Sequence, residues 1–103
     1  MKILIIKHGS LGDLVLSFGA IKTLNYHYPN DELYLLTQSN YKNIFIKLPY
    51  VKEILIDNRS TIIQSIINYL KIIKKNKFDL VVDLQNSNRT QIYHLYSDNL
   101  MFL

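Results

Sequence analysis

Seven consecutive residues, Lys7-His8-Gly9-Ser10-Leu11-Gly12-Asp13, carry the densest chemistry in the sequence, between an apolar run at Ile3–Ile6 and an amphipathic one starting at Leu14. A strand that breaks on two glycines into a helix is how α/β proteins cradle phosphate or sugar-phosphate groups. Glycine lets the backbone approach a ligand, and the unpaired N–H groups of a first helical turn favour anions. Asp13 falls where the helix is expected to begin, and two roles fit it. It stabilises the helix start through the dipole, worth about 0.3–1 kcal/mol when exposed, or it acts as a general base at the mouth of a parallel sheet. Gly9 and Gly12 read as formers of a close-approach turn, with backbone contact to a ligand as a second role. Ser10 is either an N-cap or a hydroxyl contact. Lys7 and His8 end the strand where ligands bind in open α/β sheets. His8 can hydrogen-bond a sugar or phosphate, although a solvent-facing ring is the plainer expectation.

A second group closes a later apolar run, Leu80–Leu84. Asp83 either lines the same cleft as Asp13 or caps a backbone turn, and Gln85 can orient a ligand hydroxyl. Arg89 suits a phosphate or carboxylate, or is simply an exposed first-turn arginine. Other chemistries are excluded. The glycines lack the third member and spacing of G-x-G-x-x-G, and Asp31-Glu32 precede the second apolar strand, at the wrong end for a ribose contact, so a dinucleotide cofactor is not expected. With no cysteine in the chain, disulfides, thiolate chemistry and the commonest zinc ligands go together. His27 and His94 have no acidic or cysteine partners at metal-ligand spacing. Tyr26, Tyr28, Tyr34, Tyr69, Tyr93 and Tyr96 read as packing residues rather than stacking platforms.

The elements that must position these groups follow from periodicity. Ile3–Ile6, Leu33–Leu36, Ile54–Ile56 and Leu80–Leu84 are near-continuously apolar, as buried parallel strands are. Leu14, Phe18, Ile21, Leu24 and Tyr28 mark a helix face stopped by Pro29. A shorter helix is predicted over Tyr41–Leu48 before Pro49, and a long one over Thr61–Asn76, capped by Ser60 or Thr61. Its Lys71, Lys74 and Lys75, with Lys77, form a basic cluster, read as a solvated face or else as a membrane or substrate contact. Ser87 can cap a last helix over Asn88–Tyr96, and Leu100–Leu103 looks like the start of a further strand. Alternating strands and helices imply right-handed βαβ units and one parallel sheet, ordered about 3-2-1-4, with the fourth strand beside the first.

A chain of 103 residues suits one domain, and 49% apolar with 19% charged residues argues against disorder. The formal charge of +4 rests on lysine, with arginine only at Arg59 and Arg89. That speaks against nucleic-acid recognition, which leans on bidentate arginine. No apolar segment reaches bilayer-spanning length and no signal-peptide pattern opens the chain, so a cytoplasmic location is expected.

The run Lys7–Asp13 after an amino-terminal strand resembles glycosyltransferase family 9, the lipopolysaccharide heptosyltransferases. Further landmarks follow in the same order. They are Ala20-Ile-Lys-Thr-Leu24, Tyr28-Pro29, the strand Leu33–Leu36, Pro49-Tyr-Val-Lys-Glu-Ile-Leu-Ile56, and Phe78-Asp79-Leu-Val-Val-Asp83-Leu84-Gln85 with Ser87 and Arg89 after it. Asn86 departs from the pattern, which commonly has glycine there. The resemblance implies an α/β Rossmann-like domain over 1–103, a truncated amino-terminal, acceptor-side part of a two-Rossmann enzyme. It implies metal-independent, inverting transfer of a heptosyl or related sugar from an ADP-sugar to the lipopolysaccharide core, with peripheral contact at the inner membrane face. Asp13 matches the family's base, and Gly9, Ser10, Gly12, His8, Gln85 and Arg89 stand as substrate contacts. No cofactor is expected beyond the nucleotide-sugar donor. Little activity is expected of this chain alone. Two other readings remain, a flavodoxin-like nucleotide- or phosphate-binding module and a non-catalytic fragment.

Overall fold

The computed structural model describes residues 2–8, 11–46, 48–57, 61–85, 87–95, 97 and 101–102. Strand β1 (Lys2–Ile6) leads to helix α1 (Leu11–His27), then β2 (Glu32–Thr37), a 3-10 turn (Ser39–Tyr41) and a short helix α2 (Lys42–Phe45). Strand β3 (Val51–Ile56), helix α3 (Ile62–Asn76), strand β4 (Leu80–Asp83), helix α4 (Asn88–Leu95) and strand β5 (Met101–Phe102) complete the chain. The sheet is parallel throughout, in the order β3-β2-β1-β4-β5. The expected order of the first four strands holds, and the last apolar residues add a fifth.

Strand β1 is central because both of its faces are apolar, and alternation divides them between two layers. Ile3 and Ile5 pack with Leu33, Leu35, Leu80 and Val82 against Ile21 of α1 and Phe45 of α2. Leu4 and Ile6 pack with Tyr34, Leu36 and Val81 against Tyr69 of α3 and Tyr93 of α4. All four β1 side chains have no solvent exposure, and each such burial stabilises by about 1.5–3 kcal/mol. At the β3 edge the exposed Lys52 and Glu53 discourage further strand pairing. There Lys52 Nζ lies 3.0 Å from Glu32 Oε1, and this hydrogen bond holds the Glu32 carboxyl below its ordinary value.

Several boundaries move. Helix α1 begins at Leu11, not Leu14, so Gly12 and Asp13 belong to its first turn rather than to a turn before it. The segment predicted as a helix over Tyr41–Leu48 is a 3-10 turn followed by a single α-turn ending at Phe45. Pro49 biases the residue before it away from the helical region, and Leu48 N–H closes the chain on Phe45 O at 3.0 Å. Helix α3 is capped by Thr61, whose Oγ1 accepts from Gln64 N–H at 3.1 Å. It ends on Lys77 in the left-handed region, φ 53°. Ser87 and Thr90 brace the start of α4 reciprocally: Thr90 N–H donates to Ser87 Oγ at 3.3 Å, and Ser87 N–H to Thr90 Oγ1 at 2.8 Å. Tyr26 is 79% exposed, against the expectation that it packs.

Candidate functional site

Helices leave β1 and β4 toward opposite layers, α1 to one face of the sheet and α4 to the other. In open α/β sheets that switch opens a crevice beyond the carboxyl ends of the two strands. A cleft of about 330 Å³ lies there, lined by Lys7, Leu16, Ser17, Ala20, Leu84 and Gln85. Lys7 and Ser17 are each only 5% exposed. The lining has a cationic and amide side and an apolar side.

The backbone around the cleft is held by extensions of the sheet. Lys7 N–H donates to Leu36 O and Leu84 N–H to Ile6 O, both at 3.0 Å. His8 N–H donates to Gln85 Oε1 at 3.2 Å, and Gln85 N–H to Asp83 Oδ1 at 2.9 Å. Asp83 therefore caps the turn after β4, and Gln85 both lines the cleft and fastens the β4 end to the β1 end. Asp13 is the third residue of α1, in the turn whose N–H groups have no helical partners. Gly9 and Ser10 lie outside the described residues, as do the side chains of Asp13 and Arg89, whose backbones are helical.

His8 does not face solvent. Neighbouring strand residues point to opposite faces, so while Lys7 turns to the α1 layer, His8 enters the α3–α4 layer with no exposure at all. Its Nε2 stands 3.0 Å from Asp57 Oδ2, itself at the end of β3 and 1% exposed. The Tyr93 hydroxyl donates to the same oxygen, and Ser65 Oγ donates to Asp57 Oδ1 at 3.5 Å. An acceptor-only carboxylate selects the tautomer with hydrogen on Nε2. That leaves His8 Nδ1 buried without a hydrogen-bond partner among the described residues. The Tyr93 ring stacks on Tyr69 at 4.5 Å between centroids. Ser97 Oγ gives its single proton to Tyr93 O at 2.8 Å, so the Tyr69 hydroxyl is the donor in its bond to Ser97. Burial pushes that hydroxyl up to about 12, with the charge of Asp83 adding to the shift and the Ser97 bond opposing it.

The cleft thus gathers Lys7 and Gln85 at the helix start that carries Asp13, while His8 serves a buried polar cluster behind it. Sequence alone does not point to Asp57, Ser65 or Ser97, and Tyr93 reads there only as a packing residue. One signal was available: polar residues stand at or just past every long strand end, at Lys7-His8, Thr37, Asp57 and Asp83.

No family model matches the chain, and no curated protein matches it in sequence. Solved structures match its fold. A glycosyl transferase family 9 structure from Veillonella parvula superposes with a TM-score of 0.85 at 17% identity, over 98% of this chain and 30% of that one. The E. coli heptosyltransferase WaaC with ADP gives 0.67 at 19% identity, over 87% of this chain and 29% of the other. The same enzyme with ADP-2-deoxy-2-fluoro heptose gives 0.63 at 20%, over 82% and 30%. The chain has the α/β fold of part of these structures and spans about 30% of their length.

Proposed function

We propose that this chain is the acceptor-side part of a family 9 glycosyltransferase, moving a heptosyl or related sugar from an ADP-sugar to the lipopolysaccharide core. The observation that carries the reading is the cleft at the β1–β4 switch point, beside the first turn of α1, on a fold shared with heptosyltransferases. In this reading the acceptor sugar lies across the cleft, its apolar ring face toward Leu16 and Leu84 and its polar groups toward Lys7, Ser17 and Gln85. Asp13 takes the proton from the attacking hydroxyl. The freed oxygen attacks the anomeric carbon as the nucleoside diphosphate departs from the opposite face, which inverts the configuration. Gly9, Ser10 and Gly12 border the acceptor through the backbone, and Arg89 meets an acidic group on it. The donor belongs to a part of the enzyme beyond these residues, so the chain alone has little or no transferase activity.

The test is a graft of this chain in place of the matching segment of the E. coli heptosyltransferase, assayed with ADP-heptose and core acceptor. Turnover should fall by roughly 10²–10⁴-fold on Asp13→Asn, with the melting temperature little changed. An Asn variant with normal turnover would reduce Asp13 to a helix-start residue, and sugar transfer by the ungrafted 103-residue chain would overturn the division of labour.

A further inference from the structure

We propose that the outward face of α3 docks on an anionic lipid surface, its isoleucines entering the bilayer interface and its lysines meeting acidic headgroups. The helix packs on the sheet layer through Ile66, Tyr69, Ile72 and Ile73. At 100° per residue, Ile63, Ile67, Lys71 and Lys74 fall within a sector of about 80° turned away from that layer. Ile63 is 68% exposed and Ile67 48%. Isoleucine is a weaker helix former than lysine, glutamate or glutamine, so local propensity does not place two of them, one turn apart, toward water.

The charge on this face is equally one-sided. Helix α3 carries Lys71, Lys74 and Lys75 and no acidic residue, and Lys77 caps its end. All four lysines are exposed, and none is ion-paired among the described residues. A nucleic acid would satisfy the lysines but offers nothing to the isoleucines, and the face has no arginine to read it. A second copy joined by a two-fold axis would set Lys71 and Lys74 of both copies into one interface. A membrane with acidic headgroups satisfies both halves of the face at once. The helix begins after β3, at the carboxyl edge of the sheet, so its isoleucine end lies at the same edge as the cleft.

The test is co-sedimentation of the 103-residue chain with vesicles of phosphatidylcholine alone and of phosphatidylcholine mixed with phosphatidylglycerol, at low and high salt. Binding should require phosphatidylglycerol and weaken in high salt. Lys71→Gln with Lys74→Gln should lower partitioning by about tenfold or more. Ile63→Ser with Ile67→Ser should lower it by about tenfold. Because these side chains are exposed, circular dichroism should stay unchanged. Lys22→Gln with Lys42→Gln, in the other layer, should bind as the parent does. Equal binding to both vesicle types, or α3 variants that sediment like the parent, would refute the proposal. So would a dimer that the isoleucine variant dissociates while vesicle binding is absent. None of these readouts involves sugar transfer, so the outcome stands apart from that of the transferase reading.

Discussion

Asp57 accepts from His8, Tyr93 and Ser65 at once, and with 1% exposure it has almost no water to replace any of them. Removing the carboxylate leaves three buried donors without their acceptor, at about 1–3 kcal/mol for each unsatisfied group and so roughly 3 kcal/mol or more together. Asp57→Ala should therefore lose about that much in urea unfolding, while Asp57→Asn, which keeps the shape and one acceptor, should lose about 1.5–3 kcal/mol. An alanine variant within about 1 kcal/mol of the parent, a typical surface effect, would mean that the cluster carries no net stability. Tyr69 gives a pH-dependent counterpart. Its hydroxyl titrates near 12 when folded and near 10 when unfolded, so below pH 10 both states are protonated and stability does not depend on this group. Between pH 10 and 12 the unfolded chain releases a proton that the folded one keeps, and stability falls, by roughly 3 kcal/mol in all. The stability difference between the parent and Tyr69→Phe should be constant below pH 10 and shift by that amount in the phenylalanine variant's favour above it. A difference that stays flat through pH 12 would show that the folded-state hydroxyl is not held protonated. Neither partner of His8–Asp57 announces the other in sequence, since 49 positions separate them. Only a sheet with β2 between β1 and β3 brings the two strand ends under the same helices.

At the scale of elements, most of the architecture is local and therefore legible. Four apolar runs become four strands, three of them buried in the sheet and the edge run Ile54–Ile56 only half-buried, and Pro29, Pro49 and Thr61 punctuate the chain where their backbone chemistry requires. Boundaries are less legible where packing outweighs propensity. Glycine is a poor helix former, yet Gly12 is helical because α1 starts at Leu11. Strand β3 reaches back to Val51 through two charged residues because an edge strand needs only one covered face. Lys77 shows the opposite case, a propensity violation retained at an element end. A residue with a side chain at φ 53° bears strain that glycine does not, and its N–H still closes α3 on Ile73 O at 3.0 Å. Lys77→Gly should stabilise the chain by about 0.5–1 kcal/mol, read as a higher urea midpoint with an unchanged slope. A lower midpoint would show that the lysine side chain contributes more than its backbone costs.

On the scale of the whole molecule, the strand order decides where a ligand can go. With β1 and β4 adjacent and their helices on opposite faces, the crevice forms at Lys7 and Gln85 whatever the ligand. This is why the site was legible as a place in the sequence while the partners of its residues were not. The same crevice would suit a small nucleotide-binding module, so occupancy separates the readings. Titration calorimetry on the 103-residue chain should give heat with a heptose-containing core oligosaccharide and none with ADP at affinities tighter than about 1 mM. Gln85→Ala should weaken the oligosaccharide signal, because its amide both borders the cleft and holds the backbone of His8. The loss of one such hydrogen bond corresponds to about 3–10-fold in affinity. Tight ADP binding with a silent oligosaccharide would reverse the assignment, making the crevice a phosphate cradle and removing the reason for a base at Asp13.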